Sequence, residues 1–192
     1  MYREQQVGGN CRIHALNAFF QKPQITEELF KKYAENFDEL MNSLYHVQVK
    51  SIDFDLVNSD QNNVVCYILK QETTGVTTEY YALNQHFLIN LREQLEKSNF
   101  FFMYTADHIW GVKKQNEKWY VLDSLRPITE TNINTLLSTN NVGFIVVAAA
   151  AEIFMKELKN IQNLVVPNPQ EFIIRSHFLN EILGDVEVSI GK

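Results

Sequence analysis

The chain has 192 residues, a length at which we expect one compact domain with a sizeable core. Hydrophobic residues make up 45% and charged residues 21% of it, with only four prolines and seven glycines, which excludes the disordered, collagen-like and low-complexity classes. The formal net charge is -6 and no lysine- and arginine-rich block is interleaved with aromatic residues, so we expect no nucleic-acid substrate.

Several features of the sequence bear on the compartment of the protein. The first residues are polar and lead into a helix, which leaves no room for a signal peptide. The longest apolar run, 144–151, is far shorter than the ~18–20 residues that span a bilayer. Cys11 and Cys66 are too few for a disulfide scaffold and should be reduced. We therefore expect a soluble protein of the cytoplasm or nucleus, with no membrane association and a free thiol.

The first part of the chain is predicted to be mainly helical. Asn10 is a good N-cap, and the apolar residues of 11–20 indicate a short buried helix. A clearly amphipathic helix begins near Thr26, with two glutamates in its first turn. Ser59 or Asp60 would cap a third helix, which buries Cys66 or leaves it at the edge of the core.

Strand patterns dominate after residue 99. Before that point, 79–83 is predicted to be extended and 87–95 helical. Four strands are then predicted, at 100–104, 108–113, 118–123 and 143–148. Helices first and strands later favour an α+β fold with a segregated antiparallel sheet.

The C-terminal part shows helical patterns again. They cover 153–164 and 172–183, with Pro167 and Pro169 between them. We predict a main domain over 1–166 and a helical extension over 167–192 that packs on the same domain.

A predicted hairpin places two chemically active residues together. The segment 114–117 lies between two strands and is a plausible turn. If the turn is centred between residues 115 and 116, Trp110 lies opposite Val121, and His108 lies opposite Asp123. Opposed residues share a face with Cβ atoms about 4.5–5.5 Å apart, so His108 and Asp123 should be neighbours.

An imidazole beside a carboxylate is the base and orienter of a nucleophilic triad. Cys11 is the candidate nucleophile, because the N-terminus of a helix and a nearby imidazolium lower a thiol pKa to roughly 3.5–7.5. Residues 8–10 leave backbone amides uncovered for an oxyanion, and the side-chain amide of Gln6 can point at the same oxygen. The sequence thus contains every part of an acyl-transfer site.

Each of these signals is weak alone. A single cysteine is more often core packing than a nucleophile, and a His–Asp pair is more often a surface contact. His14 lies one turn after Cys11 and can be interpreted as a second catalytic group, as half of a metal site, or, as we favour, as a structural histidine. No second Cys/His pair has ligand spacing, so we expect no metal and no cofactor. The aromatic residues Trp110, Trp119 and 100–102 are expected in the core.

Two segments together resemble the Josephin family. Residues 6–17, with Gln6, Cys11 and His14, resemble the opening motif of Josephin domains, a glutamine, four residues and then Cys-x-x-His-x-Leu-Asn. Residues 108–125 resemble the Josephin histidine and the Asn or Asp fifteen residues on, followed by Ser-Leu. The resemblance spans roughly residues 1–150.

The resemblance implies a papain-like α+β fold, with an N-terminal helix carrying the catalytic cysteine, a helical arm at about 28–72, and an antiparallel sheet. It implies a deubiquitinating cysteine peptidase in which Cys11 is the nucleophile, His108 the general base, Asp123 the orienter and Gln6 the oxyanion donor. Ubiquitin or ubiquitinated proteins would be the partners of a monomeric enzyme, and the arm would gate the C-terminal tail of ubiquitin.

Josephin domains usually have an aromatic residue directly after the histidine. Here Ile109 follows His108, and strand alternation puts Trp110 on the catalytic face instead. Two other functions remain open from the sequence. One is a papain-like peptidase or acyltransferase that acts on a different substrate, and the other is a non-catalytic ubiquitin-binding module.

Overall fold

The computed structural model describes residues 1–6, 8–46, 60–81 and 89–149. The chain divides into two compact units, Met1–Ile153 and Phe154–Lys192. The second unit lies outside the described residues. The helices predicted at 153–164 and 172–183, the boundary predicted after residue 166 and the packing of the extension therefore stay predictions.

The helices and strands of the described part alternate little along the chain. In chain order they are α1 (Cys11–Phe20), α2 (Glu27–Tyr45), α3 (Asp60–Glu72), β1 (Val76–Tyr81), α4 (Ile89–Lys97), β2 (Phe100–Tyr104), β3 (Ile109–Gln115), β4 (Lys118–Leu122), β5 (Thr129–Thr131), α5 (Ile133–Leu137) and β6 (Gly143–Ala149). None of the helices in these described stretches is long and apolar enough to cross a membrane.

The starts of the first two helices are confirmed. α1 begins directly after Asn10, although the Asn10 side chain makes no capping hydrogen bond. α2 begins after Thr26, whose Oγ1 accepts a hydrogen bond of 3.2 Å from the backbone N–H of Leu29. The rings of Tyr33 and Phe37 on α2 contact Tyr67 on α3. α2 and α3 thus form a packed helical pair in the region predicted to be the arm.

The sheet has six strands in the order β1-β6-β2-β3-β4-β5, and every neighbouring pair is antiparallel. The predicted α+β class with an antiparallel sheet is confirmed. β1 begins at Val76, earlier than the extended segment predicted from residue 79. The sequence patterns also do not predict β5 and α5, because three exposed or half-exposed residues and a five-residue helix carry too little periodicity.

β2 is the centre of the fold because both of its faces are covered. All five of its residues are buried, and Phe100 and Phe102 belong to the core that α1 and α3 share with one face of the sheet. Phe101 and Met103 belong to a second core, which α4 and α5 cover on the other face. A strand buried on both faces has a continuous apolar run, which explains the Phe-Phe-Phe-Met-Tyr sequence.

The hairpin between β3 and β4 has a different register from the predicted one. Its turn consists of Asn116 and Glu117, both with positive φ (50° and 60°), as in a type I′ turn. Val112 consequently pairs with Val121 rather than with Trp119. The predicted direct pairing of His108 with Asp123 is therefore wrong.

The turn lies one residue further along the chain than predicted, so the pairing shifts by two residues. A shift by two keeps every side chain on its predicted face. Continued by one residue, the register sets Asp123 opposite Trp110 and makes His108 the diagonal neighbour of Asp123. His108 precedes the first residue of β3 and Asp123 follows the last residue of β4, so neither is held in the sheet and their side chains can meet.

Candidate active site

Cys11 is the first residue of α1, which packs against β3, and only 3% of its surface is exposed. Its thiol lies at the positive end of the helix dipole. In the preceding loop, Gly8 has a φ of 75°, a left-handed conformation that suits glycine. Gly8 and Gly9 are exposed, so this loop leaves its backbone beside the thiol open to a ligand.

His108 connects Cys11 to Asp123. Its Nε2 lies 2.8 Å from Oδ1 of Asp123, a buried carboxylate that also accepts the backbone N–H of Leu125 at 2.9 Å. The Cys11 thiol and the His108 imidazole are close enough to interact, and each shifts the pKa of the other. Because Asp123 occupies Nε2, the nitrogen left for the thiol is Nδ1. The structure thus brings together three of the four predicted site residues, Cys11, His108 and Asp123.

The surroundings of Cys11 favour its thiolate. Burial raises the pKa of the thiol, but the hydrogen bond with His108, the charge of Arg12 and the backbone N–H of Ile109 lower it, and the net pKa lies below the ordinary value. A larger fraction of Cys11 is therefore ionised at neutral pH than of a free cysteine.

The two partners of the thiol favour their charged forms as well. Burial lowers the pKa of His108, but its hydrogen bonds to Asp123 and Cys11 raise it to about 9. Burial raises the pKa of Asp123, whereas the hydrogen bonds from His108 and from the backbone N–H of Leu125 bring it below its usual value. The three shifts thus act in the same sense, towards a thiolate, an imidazolium and a carboxylate in a row.

Gln6, the fourth predicted residue, precedes α1 in the chain and hydrogen-bonds both to Gly8 and to Ser124, the residue after Asp123. Its backbone N–H donates to the carbonyl of Ser124 at 3.0 Å, and the Ser124 hydroxyl donates to Gln6 Oε1 at 2.8 Å. Its Nε2 donates to the carbonyl of Gly8 at 2.6 Å. Among the described residues these are the hydrogen bonds of the carboxamide, so the second Nε2 proton has no acceptor there.

A comparison with protein families agrees with this geometry. The family model described as Josephin matches residues 6–147, which include Gln6, Cys11, His108 and Asp123. The chain belongs to the Josephin family. It accordingly has the papain-like α+β fold of Josephin domains. A search of curated proteins found no match to the chain.

Trp110 lies beside the candidate base of the site. Its ring stacks on the ring of His108, with centroids 5.6 Å apart and planes at 24°. The prediction that Trp110 shares the face of His108 is confirmed. An indole face against an imidazolium attracts it and restricts the orientations of the ring.

The histidine–aspartate pair also lines a cleft of about 620 Å³ in this Josephin domain. Trp110, Val121 and Leu136 provide apolar parts of its wall, and several threonines provide hydroxyl groups. His108 and Asp123 can therefore be approached from the side of the sheet that carries α5.

Sequence reasoning missed three residues around the site. Arg3 donates to the backbone carbonyls of Asp123 at 2.7 Å and of Ser124 at 3.0 Å, which ties the N-terminal segment to the backbone of the segment that carries Asp123. Ser124 holds Gln6, and its only signal was the Ser-Leu that follows the catalytic aspartate in the family motif. Arg12 lies beside Cys11. No local pattern marks either arginine, because contacts between distant segments leave no periodicity.

His14 has the structural role that we expected. Its Nδ1 lies 2.6 Å from Oε2 of Glu4, and the same carboxylate accepts the side-chain amide of Asn17 at 3.2 Å. Burial raises the pKa of Glu4, but hydrogen bonds from Tyr2, His14 and Asn17 bring it below its usual value. This network fastens the N-terminal segment to α1. Nowhere in the described residues do three or more His, Cys, Asp or Glu side chains form a potential metal site.

Proposed function

We propose that this Josephin domain is a deubiquitinating thiol hydrolase that cleaves peptide or isopeptide bonds at the C-terminus of ubiquitin. Membership of the Josephin family is consistent with a cysteine peptidase of this kind, and Josephin domains in general bind ubiquitin. The observation that carries the proposal is the grouping of Cys11 with His108 and of His108 with Asp123 Oδ1 at 2.8 Å, with the thiol at the start of a helix.

Each residue has one part in the proposed reaction. The Cys11 thiolate attacks the carbonyl carbon of the scissile bond, and the charge that develops on the oxygen is held by the backbone N–H of Cys11 and the second Nε2 proton of Gln6. His108, oriented by Asp123, gives its Nδ1 proton to the leaving amine. The neutral imidazole then takes a proton from water, and the hydroxide attacks the thioester and releases the ubiquitin carboxylate and the thiolate.

The burial of Cys11 supports a substrate with a slender end. With 3% of its surface exposed, Cys11 is accessible only to a chain that has no bulky side chains next to the scissile carbonyl. The Gly-Gly end of ubiquitin meets this requirement without a deep specificity pocket.

The test is the hydrolysis of a fluorogenic ubiquitin substrate by the wild type, by Cys11→Ala and by the control Cys66→Ala. We expect turnover by the wild type and the control and a loss of at least about 10³-fold in Cys11→Ala. Cys66 serves as the control because its thiol lies on α3 and burial raises its pKa to about 11. Equal turnover by Cys11→Ala and the wild type would refute the mechanism.

A ubiquitin probe with a C-terminal propargyl group separates the remaining alternatives. We expect a covalent adduct on Cys11. Failure to form the adduct, combined with activity on another acyl substrate, would indicate a papain-like enzyme of different specificity. Binding of ubiquitin without turnover or adduct would indicate a non-catalytic ubiquitin-binding module.

A further inference from the structure

A second cation lies beside the nucleophile. Arg12 follows Cys11 on α1, and its Nη1 lies 4.0 Å from the Cys11 Sγ, within hydrogen-bonding reach of a sulfur atom. The Arg12 Nε is buried and has no hydrogen-bond partner among the described residues. The guanidinium is thus placed against the thiol rather than extended into solvent.

The carboxylates around α1 are occupied by other partners. From the N-terminal segment, Glu4 binds His14, and at the end of the β3–β4 hairpin Asp123 binds His108. On α3, which also packs against α1, Glu72 accepts from Gln24 and Tyr33. No carboxylate of the described residues forms an ion pair with Arg12, and the group whose charge acts on it is Cys11.

A partly buried guanidinium without a counter-charge is destabilising, because its desolvation is not compensated. The thiolate of Cys11 provides that counter-charge. The other groups that face the sulfur are His108 and the backbone N–H of Ile109, both at the start of β3. Cys66 on α3 is not among the groups that shift the pKa of Cys11.

We propose that Arg12 is a further catalytic residue, whose guanidinium stabilises the Cys11 thiolate together with the imidazolium of His108. This inference rests on the proposed function in one respect, that Cys11 is the nucleophile. Arginine stays charged over the whole range in which a histidine titrates. Its share of the stabilisation therefore persists when His108 has given its proton to the leaving amine, and again when the thiolate leaves the thioester.

A thiol titration tests the proposal without any substrate. Two neutral variants, Arg12→Met and Arg12→Gln, and the charged Arg12→Lys are made in a Cys66→Ala background, so that Cys11 is the only thiol. The thiolate is followed by its ultraviolet absorbance and by the pH dependence of alkylation with iodoacetamide.

An opposite charge within about 4–6 Å shifts a pKa by about 1–3 units, and Arg12 is partly exposed, so we expect the lower end of this range. The pKa of the Cys11 thiol should rise by about one unit in the neutral variants, which leaves about tenfold less thiolate on the acid side of the titration. Arg12→Lys should stay closer to the wild type. Arg92→Met, which removes an exposed charge from α4, is the matched control and should not move the titration.

The decisive measurement is made on a neutral variant whose circular dichroism spectrum matches that of the wild type. Two neutral variants with side chains of different shape are prepared so that at least one folds normally. An unchanged thiol pKa in such a variant overturns the role of Arg12. A raised thiol pKa in a chain that does not cleave ubiquitin supports Arg12 while it refutes the ubiquitin substrate. The two proposals can therefore fail separately.

Discussion

Ser124 and Gly8 hold the Gln6 carboxamide from its two ends. The hydroxyl of Ser124 donates to Oε1, and the carbonyl of Gly8 accepts from Nε2. A carboxamide turned by 180° would set its oxygen against the Gly8 carbonyl oxygen, which is repulsive. Ser124 and Gly8 together therefore fix which end of Gln6 presents its remaining N–H, a requirement for an oxyanion donor.

Removal of the Ser124 hydroxyl should lower kcat and leave KM almost unchanged. One neutral hydrogen bond is worth about 0.5–1.5 kcal/mol, which corresponds to a loss of about two- to tenfold in Ser124→Ala. Ser124→Thr keeps the hydroxyl and should retain more activity. Ser138→Ala, the same change on the exposed end of α5, is the control. Steady-state kinetics with a fluorogenic ubiquitin substrate provide the measurement.

A double-mutant cycle distinguishes a positioning role from a general loss of structure. If Ser124 acts through Gln6, Ser124→Ala should have little further effect in a Gln6→Ala background. Additive losses in the two variants would show that Ser124 does not act through the carboxamide.

At the level of single residues, short-range spacing predicts the three residues that the structure brings together around Cys11. Cys11 at a helix start, and His108 with Asp123 at the ends of two adjacent strands, follow from local patterns. Arg3 and Arg12 do not, because only the tertiary fold shows that Arg3 binds the carbonyls of Asp123 and Ser124, and that Arg12 lacks a carboxylate partner among the described residues.

Among the elements, the β3–β4 hairpin shows how far strand patterns can be interpreted. Alternation correctly predicts which face each side chain occupies, since any even shift of register preserves it. The exact pairing depends on the turn, and Asn116–Glu117 lacks the glycine that usually marks a turn with two positive φ angles. The sequence therefore predicts which side chains of this hairpin share a face, but it predicts the register only weakly.

Gly111 of β3 provides a test of packing at this level. A Cβ at this position would collide with the ring of Phe100 on the neighbouring strand, and that ring contacts Phe19 of α1 at a centroid distance of 5.2 Å. Gly111→Ala should lower the free energy of unfolding by about 1–3 kcal/mol, the usual effect of overpacking a core. Urea-induced unfolding measures the change.

Gly9→Ala is the matched control, because nothing lies within 4 Å of a Cβ there and its φ is outside the left-handed region. It should not reduce stability. Phe100→Leu makes space above Gly111, so the double variant should lose less stability than the sum of the two single changes. Strict additivity would contradict a steric origin.

At the scale of the whole molecule, Cys11 and His108 should affect how the free energy of unfolding depends on pH. Taken alone, the raised pKa of His108 stabilises the folded state. This stabilisation is fully present below the ordinary histidine pKa of 6.5 and is lost as the pH rises through the folded pKa of about 9. The lowered pKa of Cys11 alone contributes stability that is complete above its ordinary value of 9 and is lost as the pH falls through the folded value. The two contributions have opposite slopes.

At pH values above both 6.5 and the folded pKa of Cys11, and below about 9, these slopes should largely cancel. In that range the folded pair holds one proton, on the imidazole, and the unfolded chain also holds one, on the thiol. The slope of the unfolding free energy depends on the difference in bound protons, and here that difference is close to zero. Stability of the wild type should accordingly change little with pH through this pair.

Cys11→Ser should abolish the cancellation. The serine does not titrate, while Asp123 still raises the pKa of His108, so only the folded state of the variant holds the extra proton. Its free energy of unfolding, measured in urea at a series of pH values, should fall relative to the wild type as the pH rises from the folded pKa of Cys11 towards about 9, by at most about 1.4 kcal/mol per pH unit. Cys66→Ser makes the same change at a thiol whose pKa burial raises to about 11, and it should run parallel to the wild type in this window. Parallel profiles for the wild type and Cys11→Ser would mean that the thiol and the imidazole do not share a proton in the folded protein.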